Sequence, residues 1–279
     1  MLMAVGVRGN FLVAINVECV TLAFVKQLKT LKNKAKNLKI IGVIPARFTS
    51  TRLPGKPLAD ICGKPMIWWV YNQACKSKLL TESVIATDDE RIAKVCKKLK
   101  IPYIMTNTRH ATGTDRVAEV AKKIPADIYI NIQGDEPLID PKVIDAAIKP
   151  MIDDPSIQVV HLMSEITRMH ELVSTTVPNV VVNHNNEAMF FSRFPIPYPR
   201  NPVSKYFKIV AVYGFRPEAL ERYASLPKGL LEHSEEIESL RFIENKIPIK
   251  MIEVVSENIA VDTPSDLEEV RKIICKKIS

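Results

Sequence analysis

KIIGVIPARFTSTRLPGKPL, residues 39–58, is the stretch that decides the fold. An apolar run from Ile40 to Ala46 ends in a loop that carries Arg47, Arg52 and Lys56. An unbroken apolar run is the pattern of a parallel-sheet strand buried on both faces. Open α/β sheets bind ligands beyond the carboxyl ends of such strands. Three cations on a loop shaped by Pro54, Gly55 and Pro57 suit a polyphosphate. A solvated basic loop is the competing reading, because Lys and Arg are mostly exposed.

Outward from this strand, short apolar runs alternate with helical patterns. The runs predict strands over 39–46, 83–87, 102–105, 127–132, 157–163, 179–183, 208–215 and 249–254. Helical spacing predicts helices over 64–78, 88–99, 113–123, 141–152, 217–224, 235–244 and 264–277. Asp88 is the expected N-cap of the second of these, and Thr263 with Pro264 marks the start of the last. Alternating β and α segments predict an α/β fold, a layered sheet with helices on both faces. Residues 184–207 break the alternation with prolines at 195, 197, 199 and 202. Proline excludes a regular central strand, so this region is expected to leave the sheet as a substrate-side arm, a subunit contact or a satellite cluster.

The 279 residues fit one large domain or two small ones. The net charge is +8, but residues 1–39 hold seven basic side chains and one acid, which accounts for +6 of it. The remainder is near neutral, which argues against nucleic acid as a partner. Five scattered cysteines show no C-x-x-C spacing, so they are expected to be ordinary thiols in a reducing compartment, here the cytoplasm. Residues 1–38 form an N-terminal extension whose apolar stretch, 11–25, is interrupted by Asn16 and Glu18 and is short for a membrane span. A tail, a helix packed on the body or a partner, and a membrane-surface anchor followed by lysines all stay open.

Three further segments carry candidate chemistry. In INIQGDEPLI, residues 130–139, Gly134 permits a tight turn after the strand. It brings Asp135 to the strand end, beside the cationic loop if the two strands are neighbours. A carboxylate next to a polyphosphate calls for a divalent cation, and Mg²⁺ is commonly held by one or two carboxylates with phosphates and waters. An Asx turn or helix cap is the equal alternative. Asp262, in AVDTPSDL, is a second carboxylate whose weight depends on convergence with Asp135. In MTNTRHATGTDRVAEV, residues 105–120, Thr106, His110, Thr112, Gly113 and Thr114 lead into a helix whose free N–H groups accept anions. His110 is more often structural than catalytic in such a setting.

Together these motifs resemble the 3-deoxy-manno-octulosonate (Kdo) cytidylyltransferase family. The resemblance rests on IPARFTSTRLPGKPL, MTNTRHATGTDR, NIQGDEP and VDTPSDL, in that order, from about Lys39 to Ile278. It implies a Rossmann-like nucleotide-diphospho-sugar transferase fold with a mixed, mostly parallel sheet. The domain would span 39–279, with an excursion at about 184–207. It also implies a homodimer and an Mg²⁺-dependent transfer of CMP from CTP to a 2-keto-3-deoxy sugar acid. Arg47, Arg52 and Lys56 would hold the triphosphate, with Arg47, Lys56 and Asp135 carrying catalysis and Asp135 and Asp262 binding Mg²⁺. Pro45, Ala46, Met105, Thr106, His110, Gly113, Thr114, Gln133, Gly134, Arg193, Tyr213 and Glu235 would line the substrates. The pattern departs at Ile209, where the family commonly has His, and at Ser239, where it has Gln. These two positions leave a Kdo variant, such as an 8-amino-8-deoxy sugar, or another 2-keto-3-deoxy sugar acid as the alternative substrate.

Overall fold

Strand β1, Ile40–Ala46, is buried along almost its whole length because sheet covers both of its edges and helices cover both faces. It runs parallel to β2 (Glu82–Thr87) on one side, pairing Ile44 with Ile85. On the other side it runs parallel to β4 (Ile128–Ile132), pairing Ile41 with Tyr129. The short β3 (Tyr103–Met105) lies beyond β2. The order β3-β2-β1-β4 reverses direction at β1, and a crevice outside the strand ends at such a switch point is the usual ligand site of this architecture. The computed structural model describes residues 2–3, 15–16, 38–49, 52–201, 205–256 and 259–278. The chain divides into two units, 1–38 and 39–279. In the first, Leu2–Met3 pairs antiparallel with Ile15–Asn16. The three readings of the extension concern residues that otherwise lie outside those described. Among the described residues no helix is long and apolar enough to cross a membrane.

The second half of the sheet is organised by the long β8, Phe207–Phe215. It runs antiparallel to β4 through its last four residues and to β5 (Val159–Glu165) along its other edge. Its start pairs with β6 (Asn179–Val182), which carries β7 (Ala188–Ser192) at the sheet edge. Strand β9, Lys250–Glu253, is parallel to β5. The helices in chain order are α1 (Met66–Ala74), α2 (Glu90–Lys98), α3 (Gly113–Lys123), α4 (Pro141–Asp153) and α5 (Pro217–Ser225). They are followed by α6 (Leu230–Glu235), α7 (Leu240–Glu244) and α8 (Pro264–Ile278). Tyr213 and Phe215 share a core with Val117 of α3, Leu220 of α5 and Phe242 of α7. Gly214 points the other way, and a Cβ there would stand 2.8 Å from Met151 Sδ of α4. Helices therefore cover both faces, as the β/α alternation predicts.

Four sequence expectations need correction. The helix expected over 235–244 is two helices, α6 and α7, because Glu236 takes a left-handed conformation (φ 51) and ends the first. The N-cap of α2 is Asp89, which accepts from Arg91 N at 2.9 Å, and not Asp88. Residues 188–192 remain in the sheet as β7, so the departure begins only after Ser192. Its prolines 195, 197 and 199 fall outside any strand, and Pro202 lies outside the described residues. Finally, Cys62 and Cys275 are joined in a disulfide with Cα atoms 5.9 Å apart. They stand 213 residues apart, so local spacing gave no sign of the pair. It forms because α8 packs Leu267, Val270 and Ile274 against Ile61 and Met66 around a hairpin, Asp60–Ile61 with Lys64–Pro65. Cys75 is exposed and Cys96 buried, both as free thiols, and Cys19 lies outside the described residues.

Helices α6 and α7 are clamped by a buried ion pair. Arg241 bonds Glu232 through Nε and Nη2, both at 2.7 Å, and Asp115 of α3 at 3.3 Å. Removing one member strands the other charge in the core, at about 3–5 kcal/mol. Arg241→Met is therefore expected to lower the urea midpoint markedly, whereas the double variant Arg241→Met/Glu232→Leu recovers most of the loss.

Candidate active site

The loop after β1 and the loop after β4 meet because nothing larger than glycine fits between them. A Cβ on Gly134 would stand 2.5 Å from the Pro45 carbonyl oxygen. Gly134 lies in the tight turn expected there, with Glu136 N donating to the Gln133 carbonyl at 3.4 Å. It takes no positive φ, and its lack of a side chain also lets two strand ends touch. Asp135 follows directly, and its carbonyl accepts from Val261 N at 2.9 Å. That bond docks the segment before α8, which brings Asp262 alongside. A capping box fixes the turn: Asp266 Oδ2 accepts from Thr263 N at 2.7 Å, and Thr263 Oγ1 accepts from Asp266 N at 3.3 Å.

The two carboxylates converge on one cation. Lys56 Nζ donates to Asp135 Oδ2 at 2.6 Å and to Asp262 Oδ1 at 3.1 Å, and Arg52 Nη2 stands 3.1 Å from the same Asp262 oxygen. Burial works against the Lys56 charge, but the two aspartates outweigh it and hold the ammonium above its ordinary pKa range. Lys56 sits on a single 3₁₀ turn, Lys56–Leu58, shaped by Gly55 and Pro57. Ser50 and Thr51 of the same loop lie outside the described residues. The convergence that the sequence left open for Asp262 is therefore met in the fold.

Arg47 leaves the end of β1 and donates through Nη2 to the His110 carbonyl at 2.8 Å. Burial, then the neighbouring Arg116, lower its pKa from the usual value. The His110 ring hydrogen-bonds Glu119 of α3, whose carboxylate also takes Asn107 N at 2.8 Å and Lys123 Nζ at 2.6 Å. His110 thus has a structural partner on its ring and a site-facing role only through its carbonyl. Thr106 is turned inward and accepts from the fully buried Arg116, which also pairs with Asp88 at 2.8 Å. Met105 ends β3 with its carbonyl accepting from Lys123 Nζ at 2.7 Å. Thr112 caps α3 in a capping box with Asp115, and Thr114 N donates to Glu238 Oε2 at 3.0 Å. Burial raises the Glu238 pKa.

A cavity of about 460 Å³ opens beside these residues. Gln133, Gly113 and Thr112 line one side of it, and Arg193, Ile209, Tyr213, Glu238 and Ser239 the other. The Arg193 guanidinium is occupied by the carbonyls of Glu235 (2.6 Å), Thr175 (2.7 Å) and Glu236 (3.2 Å). Glu235 accepts from Ser192 Oγ and Arg193 N, both at 2.8 Å. Arg193 therefore lines the cavity with its bonding capacity largely spent, and Glu235 stands behind it, outside the lining. Pro45 and Ala46 end β1 at the crevice. Sequence reasoning did not single out Arg116, Asn131, His161 or the Glu232–Arg241 pair. A lone histidine inside the apolar run VVHLM was the one signal available for His161.

The comparisons with known proteins agree on one family. A sequence profile described as "Cytidylyltransferase" matches residues 41–253. A 3-deoxy-manno-octulosonate cytidylyltransferase of Solibacter usitatus is 46% identical over 237 residues, 84% of this chain and 94% of that protein. Its counterpart in Trichlorobacter lovleyi is 42% identical over 247 residues, 84% and 98% respectively. A solved structure titled as CMP:2-keto-3-deoxy-manno-octonic acid synthetase complexed with CTP superposes with a TM-score of 0.81. It is 43% identical, with coverage of 86% of this chain and 99% of that one.

Glu119 gives a pH prediction. Burial opposes its charge, but Asn107 N–H, Lys123 and His110 hold its pKa down at about 2. An unfolded Glu titrates near about 4.3. Its stabilisation is therefore complete above that value and disappears as pH falls through about 2. Thermal midpoints of the wild type are expected to drop across that acid window, and Glu119→Gln to show a shallower slope there.

Proposed function

The chain belongs to the 3-deoxy-manno-octulosonate cytidylyltransferase family, and from that premise we propose that it transfers CMP from CTP to the anomeric hydroxyl of Kdo. The observation that carries the proposal is the convergence of Lys56, Asp135 and Asp262 at the switch point of the sheet, one strand away from Arg47. Arg47, Arg52 and Lys56 face the triphosphate, and the 105–114 segment faces the nucleoside. The sugar acid occupies the cavity between Gln133 and Tyr213. Its anomeric oxygen attacks the α-phosphorus in line, forming a new P–O bond. The bond from the α-phosphorus to the α–β bridging oxygen breaks, pyrophosphate departs with that oxygen, and the hydroxyl proton passes to solvent water.

The donor set at the carboxylates suits Mg²⁺: two hard oxygen ligands from Asp135 and Asp262, partly open to solvent, with phosphates and waters to complete the shell. Among the described residues no group of three His, Cys, Asp or Glu side chains converges, so such an ion needs its substrate's oxygens. When bound there it supplies charge to the phosphates and acidifies the attacking hydroxyl. The protein's own part is positioning and fixed charge. Lys56 stays protonated beside both aspartates and keeps them oriented. Arg47 is held by the His110 carbonyl. Gln133 faces the junction of nucleotide and sugar.

We further place the enzyme in the cytoplasm, where CTP is made, and as a homodimer. Phe194 and Tyr198, 72% and 82% exposed beside the half-buried edge strand β7, form the surface for a second copy. Exposed aromatics of this kind are enriched in interface cores.

Pyrophosphate release with CTP, Kdo and Mg²⁺ tests the reading. The wild type is expected to turn over with CTP and not with UTP or ATP, and chelation to stop it. Asp135→Asn should lower kcat by about 10²–10³, the scale of losing one transition-state contact, while the protein stays folded because Asp262 still pairs with Lys56. Wild-type kcat in that variant would remove Asp135 from the site. Light scattering showing a monomer would dispose of the dimer.

A further inference from the structure

Behind Tyr213 of the cavity wall runs a polar row whose other members, Asn131 and His161, the reaction above does not use. Asn131 of β4 stands opposite Tyr213 of β8, and Tyr213 opposite His161 of β5, so the three share one sheet face. His161 is 1% exposed and stacks on the Tyr213 ring, with centroids 4.1 Å apart. Its Nδ1 lies 3.2 Å from Ser239 Oγ, and its Nε2 has no partner among the described residues. Ser239 is the N-cap residue of α7, yet its hydroxyl does not cap that helix and turns to His161. Both Ser239 and Tyr213 line the cavity.

The tautomer follows from the bare nitrogen. A buried N–H without an acceptor is rarer and costlier than a buried lone pair. The proton therefore belongs on Nδ1, which donates to Ser239 Oγ. That bond occupies an acceptor site on the serine oxygen and leaves the Ser239 O–H to donate elsewhere. Ser239 is 1% exposed, and the cavity it lines is where a further partner would stand. Burial also depresses the His161 pKa to about 3, so the ring is neutral wherever the enzyme works.

We propose that His161 is a positioning residue for the sugar acid: it orients the Ser239 hydroxyl as a donor toward a carboxylate or hydroxyl oxygen of that substrate and braces the Tyr213 ring beside it. This rests on the Kdo reading of the cavity. It assigns a compensating polar device to a wall in which Ile209 is apolar and Ser239 is short.

Steady-state kinetics with CTP and Kdo separate the two claims, because wild-type turnover tests the parent reading and only the variants test this one. His161→Leu is expected to raise KM for Kdo about tenfold, the loss of one hydrogen bond, while KM for CTP and kcat stay within about twofold. His161→Asn places an amide N–H near the Nδ1 position and should recover most of that loss. Ser239→Ala should match His161→Leu, and the double variant should be no worse than either single one. Equal rises in both KM values, no rescue by Asn in a variant with a wild-type melting temperature, or additive single effects would each overturn the proposal.

Discussion

Two carboxylates from distant parts of the chain share one ammonium, and the architecture of the catalytic end depends on that meeting. Asp135 and Asp262 are brought to Lys56 by the Gly134–Pro45 approach and by the Val261–Asp135 backbone bond. Without Lys56 the two negative charges would repel at close range in a half-buried crevice. Without the carboxylates, Lys56 would bear its desolvation alone. Arg52 adds a second positive charge against Asp262, so the four side chains are neutral together. A neutral but strongly dipolar cluster keeps the folded state stable before substrate arrives. It also offers both signs of charge to a triphosphate and its cation.

The rest of the site is held at one remove. Arg47 is bound by a main-chain carbonyl, that residue's ring by Glu119, and Glu119 by the backbone of Asn107 and by Lys123. Arg116 is wholly buried between Asp88 and Thr106. These second contacts lock rotamers of the groups that face the crevice, which is how preorganised charge is maintained without reorganisation during reaction. The Arg241–Glu232 pair does the same for α6 and α7, whose junction carries Glu238 and Ser239 into the cavity.

The two halves of the crevice differ in character. The half around Lys56, Asp135 and Asp262 is built from charged side chains. The cavity half is built on the antiparallel β8 with neutral polar groups, His161, Tyr213 and Ser239, over a core of Phe191 and Phe215. A register shift in β8 between Val210 and Tyr213 sits at this boundary. Bulges of this kind re-aim side chains next to binding sites.

The sequence by itself determined the parallel half of the sheet. Runs such as IIGVIPA and IYINI must be buried on both faces, and their polar ends could only lie at the crevice. It also determined the residue types at those ends, and through four ordered motifs the family. Only the tertiary structure decided which groups meet. The Lys56–Asp262 and Cys62–Cys275 contacts join points more than 200 residues apart, where no local periodicity operates. The break between α6 and α7 turned on one left-handed residue, Glu236, which propensity did not flag. The turn at Gly134 was legible, but its close approach to the carbonyl of a different strand was not. His161 read as one polar residue in an apolar run, and acquired a partner only when α7 folded back over the sheet.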